Sequence, residues 1–355
     1  MRWMRTLTLG VLAVSGGCTE SKVEEGQDIA LSGRLLDEAG APLSEALLKV
    51  YRSENSACAL AAFSSSWRSV KTRADGTFGF DLLGADTRNG SIARCFIVRS
   101  PEQPQGRHVS ASFLIQESEV ALPPIQEWSG SLTVAAEAQG VSVSFRPLSA
   151  THGGTSNEHV LYLYPPSGRE AWQVLKASSP VHLSDYVLED ARDLEASLIT
   201  QRDGKAGSVT VGFTYSSDDV VLPRRALVPV SRGASCTYPN AETPCRLTNG
   251  DLGGAVLFQE GVKEVTVQLS RPAVLRKAVL RNFGVAGTMN ELVLEGSADG
   301  TQWVSLANLL DENSERPFRE LDLTATTAVS QVRVRAVPRD SAGRLHALGQ
   351  LSLFE

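Results

Sequence analysis

The amino-acid sequence predicts an all-β protein built from tandem β-sandwich domains. From Ile29 onward the apolar residues fall in short β-branched or Leu-rich runs that alternate with polar residues, as half-buried strands require. Between the runs stand Gly, Pro, Asn and Asp, the residues that tight turns demand. Helical periodicity is nearly absent, and only scattered stretches such as 190–195 have the composition for a helical turn.

The chain opens on Arg2 and Arg5, an apolar run over 7–14, and Ser15, Gly16 and Gly17 ahead of Cys18. These are the parts of a secretory signal peptide, and the run is too short to cross a bilayer, which takes about 20 helical residues. A cysteine at the exit resembles the lipobox of bacterial lipoproteins, where signal peptidase II cuts before the cysteine and lipid joins the new terminus. The resemblance implies a signal over 1–17 and lipidation at Cys18. Thr19, not Asp, follows the cysteine, which implies sorting to the outer membrane. Ser15 stands where that family usually has Leu, and ordinary cleavage there would leave a secreted protein instead. Residues 18–28 are polar and acidic and read as a tether.

Past the signal about 335 residues remain, enough for two or three domains. The formal net charge is -6, with signs interspersed. No basic stripe is present to hold a phosphate backbone, so nucleic acid is not an expected partner. There are five cysteines. With Cys18 set aside for lipid, Cys58, Cys95, Cys236 and Cys245 allow three pairings, of which Cys58–Cys95 and Cys236–Cys245 close the shortest loops. In the chain-entropy treatment those loops are worth about 4 and 3 kcal/mol. Their spacing matches no zinc pattern.

The first unit, 29–126, opens strand, turn, strand. Asp37 to Gly40 make the turn and Pro42 resets φ before Leu47, Leu48 and Val50. Later an Asp75-Gly76 turn feeds Phe78 and Phe80, which point to one face. Together these stretches resemble the carboxypeptidase regulatory-like, transthyretin-like sandwich, a spacer family without catalytic residues. The second unit, 127–222, holds strand candidates at 131–136, 141–147, 159–164, 171–176, 181–187, 194–200 and 208–215. Seven at that spacing suit an immunoglobulin-like or fibronectin type III-like sandwich. Turns are expected at 165–168 and at Asp203-Gly204.

The third unit, 223–355, carries Leu247-Thr248-Asn249-Gly250-Asp251, runs at 265–269 and 274–280, then Leu292 to Leu294 and Ser297-Ala298-Asp299-Gly300-Thr301-Gln302-Trp303. Val332-Arg333-Val334-Arg335 and a final run at 348–354 follow. This order resembles the discoidin, or coagulation factor 5/8 type C, domain, whose bacterial members include family 32 carbohydrate-binding modules. The resemblance implies a galactose-binding-like jelly roll. Asp299-Gly300 supplies positive φ at a hairpin, and Trp303 is expected to turn back into the sandwich as a core residue rather than a sugar platform.

The same resemblance implies a calcium near Asn249 and Asp251, completed by the last strand at the position of Gln350. Asn249 and Gln350 are neutral where that family has carboxylates, so a weak structural calcium and a turn without metal both remain open. No other cofactor is implied. Ligands of this fold bind in loops at one end of the barrel. The candidates are Asn282 and Phe283, Arg316 and Phe318, and Arg344 and His346, with aromatic rings to stack on a sugar face and Arg, Asn and His to donate to hydroxyls.

Catalysis finds little footing. Gly-x-Ser-x-Gly, His-Glu-x-x-His and Walker patterns are missing, and His108, His152, His159, His182 and His346 lie scattered over the units. Glu189 and Asp190 read as a charged loop, and His182 as a solvent-facing strand residue. The expectation is a non-enzymatic envelope lipoprotein, held to the membrane through its lipid, whose last domain binds glycan or another surface polymer. The rivals are a structural lipoprotein whose partner is an envelope protein, and an accessory subunit of an envelope hydrolase.

Overall fold

The structure, a computed structural model, describes residues 20–56, 58, 65–101, 107–128, 130–146, 148, 158–164, 173–176, 179–189, 194–223, 227–237, 245–250, 256–258, 264–281, 291–310, 318–337 and 346–355. The expected signal and Cys18 lie outside them, as do Asn282, Phe283, Arg316, Arg344 and Asp251. No helix among the described residues is long and apolar enough to cross a membrane. The architecture is all β, as the alternation predicts.

Strand Asp28–Leu36 pairs antiparallel with Thr77–Leu83 and parallel with Glu119–Ala121 and Ile125–Gln126. Its alternation turns Ile29, Leu31 and Leu35 inward, into one core with Leu48, Val50, Phe96, Val98 and Phe113 of the facing sheet. The expected turns form. Asp37 Oδ1 accepts from the Ala41 amide at 2.7 Å. Asp75 Oδ1 accepts from the Thr77 amide at 3.0 Å and its hydroxyl at 2.7 Å, and these bonds hold the Asp75 carboxyl below the usual carboxylate range. Both expected disulfides close, Cys58–Cys95 and Cys236–Cys245, each with Cα atoms 5.3 Å apart.

The first two units share one sheet. Strand His108–Leu114 pairs with Cys95–Arg99 on one side and with Val209–Ser216 on the other. The sheet thus runs Gln173–Lys176, Glu158–Tyr164, Glu195–Ala206, Val209–Ser216, His108–Leu114, Cys95–Arg99, Leu47–Arg52, Arg68–Lys71, with Val220–Val221 beside Glu195–Ala206. A single hydrophobic cluster extends from Val23 to Leu222. Trp128, next to the expected boundary, is 4% exposed and sits edge-on to Tyr215, with ring centroids 6.1 Å apart. The first two expected units are therefore joined by an antiparallel ladder between His108–Leu114 and Val209–Ser216. Burial pushes the Tyr215 phenol up to about 12.

Over this sheet lies a three-stranded one, Leu132–Glu137, Gly140–Phe145 and Val181–Ser184, contributing Val141, Val143 and Leu183 to the core. One local expectation needs correction. Asp203 and Gly204 lie inside strand Glu195–Ala206, paired with Gly212 and Val211, and the turn falls at Gly207 and Ser208. Gly207 takes φ +59, which the turn requires, while Gly204 lies under the Phe213 ring, where a side chain would clash. A short helix spans Asp185–Leu188, and residues 190–193 of the stretch expected to turn lie outside the described residues. Ser184 caps it by accepting from the Val187 amide at 3.2 Å.

The C-terminal unit is a second sandwich. One sheet runs Ser235–Thr237, Glu264–Ala273, Val329–Val337, Glu291–Ser297, Val304–Leu310, and the other Phe318–Asp322, Lys277–Arg281, Gln350–Phe354. Val265, Val267, Leu292, Leu294, Val332 and Val334 meet Ala278, Leu280, Leu351 and Leu353 in a core of their own. A two-stranded pair, Val256–Phe258 with His346–Leu348, completes the unit. The last strand is buried on both faces, because Leu351 and Leu353 enter this core while Phe354, with Val279 of the neighbouring strand, joins the first one.

A fragment of residues 20–126 leaves His108–Leu114 as a bare edge with the ring faces of Phe96 and Phe113 partly uncovered. It should aggregate or self-pair on size exclusion; a monomer that unfolds cooperatively would show that the ladder to Val209–Ser216 is dispensable.

Candidate functional site

The hairpin that carries the discoidin resemblance is built by one carboxylate. Asp299 Oδ1 accepts from the Thr301 amide at 2.8 Å and the Gln302 amide at 2.9 Å, and the Ser297 hydroxyl accepts from the Gly300 amide at 2.9 Å. Gly300 takes φ +77, as the turn demands. The backbone donors hold the Asp299 carboxyl well below the usual range.

Trp303 does not enter the core. It is half-buried on the outer face of the five-stranded sheet, with the Arg333 guanidinium 4.3 Å from the ring centroid. Arg333 is held there by Glu295 at 2.8 Å and Glu264 at 3.7 Å, and Arg335 also reaches Glu295, at 3.6 Å. The physical reason is the irregular register between Leu294 and Glu295, which leaves Leu306, not Trp303, as the inward residue. A cation over the indole replaces core burial as its packing.

Arg281 ends its strand opposite Phe318 and Gln350, which begin theirs. In the other sheet Glu291 stands opposite both Leu310 and Val337. The candidates Asn282, Phe283, Arg316 and Arg344 lie outside the described residues. His346 has its backbone opposite Phe258. Phe318 is different. It is half-buried and packs against the first core, so it is a packing residue between units and not a stacking platform.

Glu189 also departs from expectation. It is not a solvated loop residue but 1% exposed, with φ +32 at the end of helix Asp185–Leu188. Arg232 Nη2 reaches its Oε1 at 3.1 Å and Arg281 Nη2 its Oε2 at 3.5 Å. Arg281 is enclosed; it donates to Ser352 Oγ at 2.9 Å and to the Val187 carbonyl at 2.8 Å, and burial lowers its pKa despite Glu189. Around this pair Tyr186 meets Phe354 edge-on at 5.1 Å, and Lys277 binds Glu320 at 3.1 Å while Ser184 donates to Glu320 at 2.5 Å.

The calcium implied by resemblance fits these residues poorly. Asn249 is half-buried, and the Arg232 guanidinium lies directly against Gly250 beside it. Gln350 is 2% exposed and its register partner is the buried Arg281. Its Oε1 has no hydrogen-bond partner among the described residues, a feature that favours a cation, yet two guanidinium groups against one carboxylate leave the neighbourhood net positive. Among the described residues no three His, Cys, Asp or Glu side chains gather as metal ligands. The described histidine contacts are local. His108 meets Arg99 at 3.0 Å, His159 meets Thr200 at 2.6 Å, and exposed His182 meets Glu137 at 3.2 Å. Burial lowers the pKa of His159.

No family model matches this chain, and no curated protein matches it. Among solved structures it is similar over 36% of its length to the family 89 glycoside hydrolase of Clostridium perfringens in complex with GlcNAc-alpha-1,4-galactose, at 18% identity and TM-score 0.31. It spans 14% of that enzyme's length. It is also similar to the family 32 carbohydrate-binding module of Streptococcus pneumoniae EndoD, with 36% of this chain and 99% of that one covered, at 13% identity and TM-score 0.29. A chitosan-binding module of a Paenibacillus sp. IK-5 chitosanase/glucanase aligns over 36% of this chain and 98% of its own, at 16% identity and TM-score 0.30.

Two outcomes follow for the hairpin face. Trp303→Ala should cost about 1–2 kcal/mol in urea unfolding, short of the roughly 3–5 kcal/mol of a fully buried Trp. Because the folded Asp299 carboxyl titrates below the unfolded one, its contribution is whole above about pH 3.9 and falls away as pH drops below that value. Asp299→Asn should therefore flatten part of the acid limb of a stability-versus-pH curve and leave the neutral limb's slope unchanged.

Proposed function

We propose that this is a non-enzymatic, lipid-anchored protein of the cell envelope whose C-terminal sandwich binds carbohydrate. The observation that carries the reading is the convergence of strand ends. Arg281, Phe318 and Gln350 share one end of their sheet, and Glu291, Leu310 and Val337 one end of theirs, and these strand ends neighbour Asn282, Phe283, Arg316, Arg344 and His346 in the sequence. An aromatic with planar and amide donors among those residues suits the apolar face and hydroxyl rim of a pyranose. Carbohydrate-binding modules among the similar solved structures agree in kind with this choice of ligand. Lipidation at Cys18 would fix the fused first body to the outer membrane and hold the C-terminal end away from it, and no catalytic step is assigned to any residue.

Affinity-gel retardation of the full mature chain in mucin-type and chitosan-type polysaccharide tests the reading. Retardation is expected in at least one gel, with Phe283→Ala and Arg344→Ala weakening it roughly tenfold or more and Phe318→Ala leaving it intact. A folded protein that migrates unretarded through every polysaccharide, while an envelope protein co-purifies with it, would favour the assembly role instead. Metabolic labelling with palmitate, lost in Cys18→Ser, is the expected signature of the anchor.

A further inference from the structure

We infer that two arginines take the place of the metal that the discoidin resemblance implies, and that the carboxylate they share, supplied by the middle unit, latches the two bodies together without calcium. The Asn249-Gly250 turn, with Gly250 at φ +78, is covered by the Arg232 guanidinium, which a Cβ at Gly250 would meet. Glu189 accepts from Arg232 on one oxygen and faces Arg281 on the other. Arg281 in turn ends the strand opposite Gln350, the position where the family's carboxylate would stand. A divalent cation needs several hard anionic or carbonyl oxygens converging on one point. Here the described carboxylate is spent on two fixed cations, and Asn249 and Gln350, the described residues of the implied site, are amides.

The same three groups join elements far apart in the chain. Glu189 follows helix Asp185–Leu188 of the middle unit, Arg232 belongs to the C-terminal unit, and Arg281 ends the central strand of its three-stranded sheet. Arg281 also donates to the Tyr186 carbonyl at 3.3 Å and the Val187 carbonyl at 2.8 Å, satisfying the C-terminal turn of that helix. In a metal-bound relative of this fold the ion would pin one domain's own ends. In this chain the fixed cations pin the domain to its neighbour.

Thermal unfolding and calcium titration of the full mature chain test the inference. The melting temperature should be the same in millimolar calcium and in EDTA, and titration calorimetry should show no saturable calcium binding. Glu189→Gln, which leaves the buried Arg281 and the half-buried Arg232 without a carboxylate, should lower the melting temperature by roughly 6 °C or more and split the unfolding into two steps. Arg232→Lys, which keeps the charge and loses the fork, should fall between, and is the variant to read if Glu189→Gln yields no folded protein. A calcium-dependent rise in melting temperature of the wild type, or variants that melt as the wild type does, would overturn it.

Discussion

The pairing of Glu189 with Arg281 and Arg232 is the constraint around which the rest of the molecule is arranged. A carboxylate and a guanidinium removed from water are tolerated only when each is matched by charge and by directed hydrogen bonds. Arg281 meets that condition through Ser352, two carbonyls and Glu189, and Glu189 meets it in a backbone conformation at φ +32 that costs on the order of 1–3 kcal/mol for a residue with a side chain. The arrangement exists only if the middle unit and the last sandwich are already in register. Charge complementarity thus makes the docking of two hydrophobic bodies specific, while Tyr186, Phe354, Val279 and Phe318 supply the apolar area.

A second joint works by a different device. Between the first and middle units the connection is a ladder of main-chain hydrogen bonds, from His108 opposite Ser216 to Phe113 opposite Val211. Sharing a sheet removes two exposed edges at once, which is how tandem sandwiches avoid edge-to-edge association. The C-terminal sandwich is joined side chain to side chain instead and keeps its own core.

Much of this was legible along the chain. Period-two alternation identified the strands, the economy of loop closure identified both disulfides, and Asp-Gly identified the hairpins at 75–76 and 299–300. The misses share a cause. Asp203-Gly204 has turn chemistry, but Gly207 and Ser208 also do, and the Phe213 ring over Gly204 settles which closes. Trp303 looked like a core residue because aromatic burial is the common outcome; a shift of one register position sends it outward beneath Arg333. Glu189 looked solvated because no local pattern announces two arginines from distant parts of the chain.

By itself the sequence determined the all-β class, the strand punctuation and the cysteine pairing, because all of these depend on neighbours within a few positions or on simple counting. Tertiary structure alone decided that two units share a sheet, that Phe318 packs and Trp303 faces out, and that Glu189, Arg232 and Arg281 meet. Those outcomes depend on register and on charges brought together across 43 or more positions of chain, as with Arg232 and Glu189. Side-chain alternation fixes which residues share a face, but not which foreign surface that face will meet.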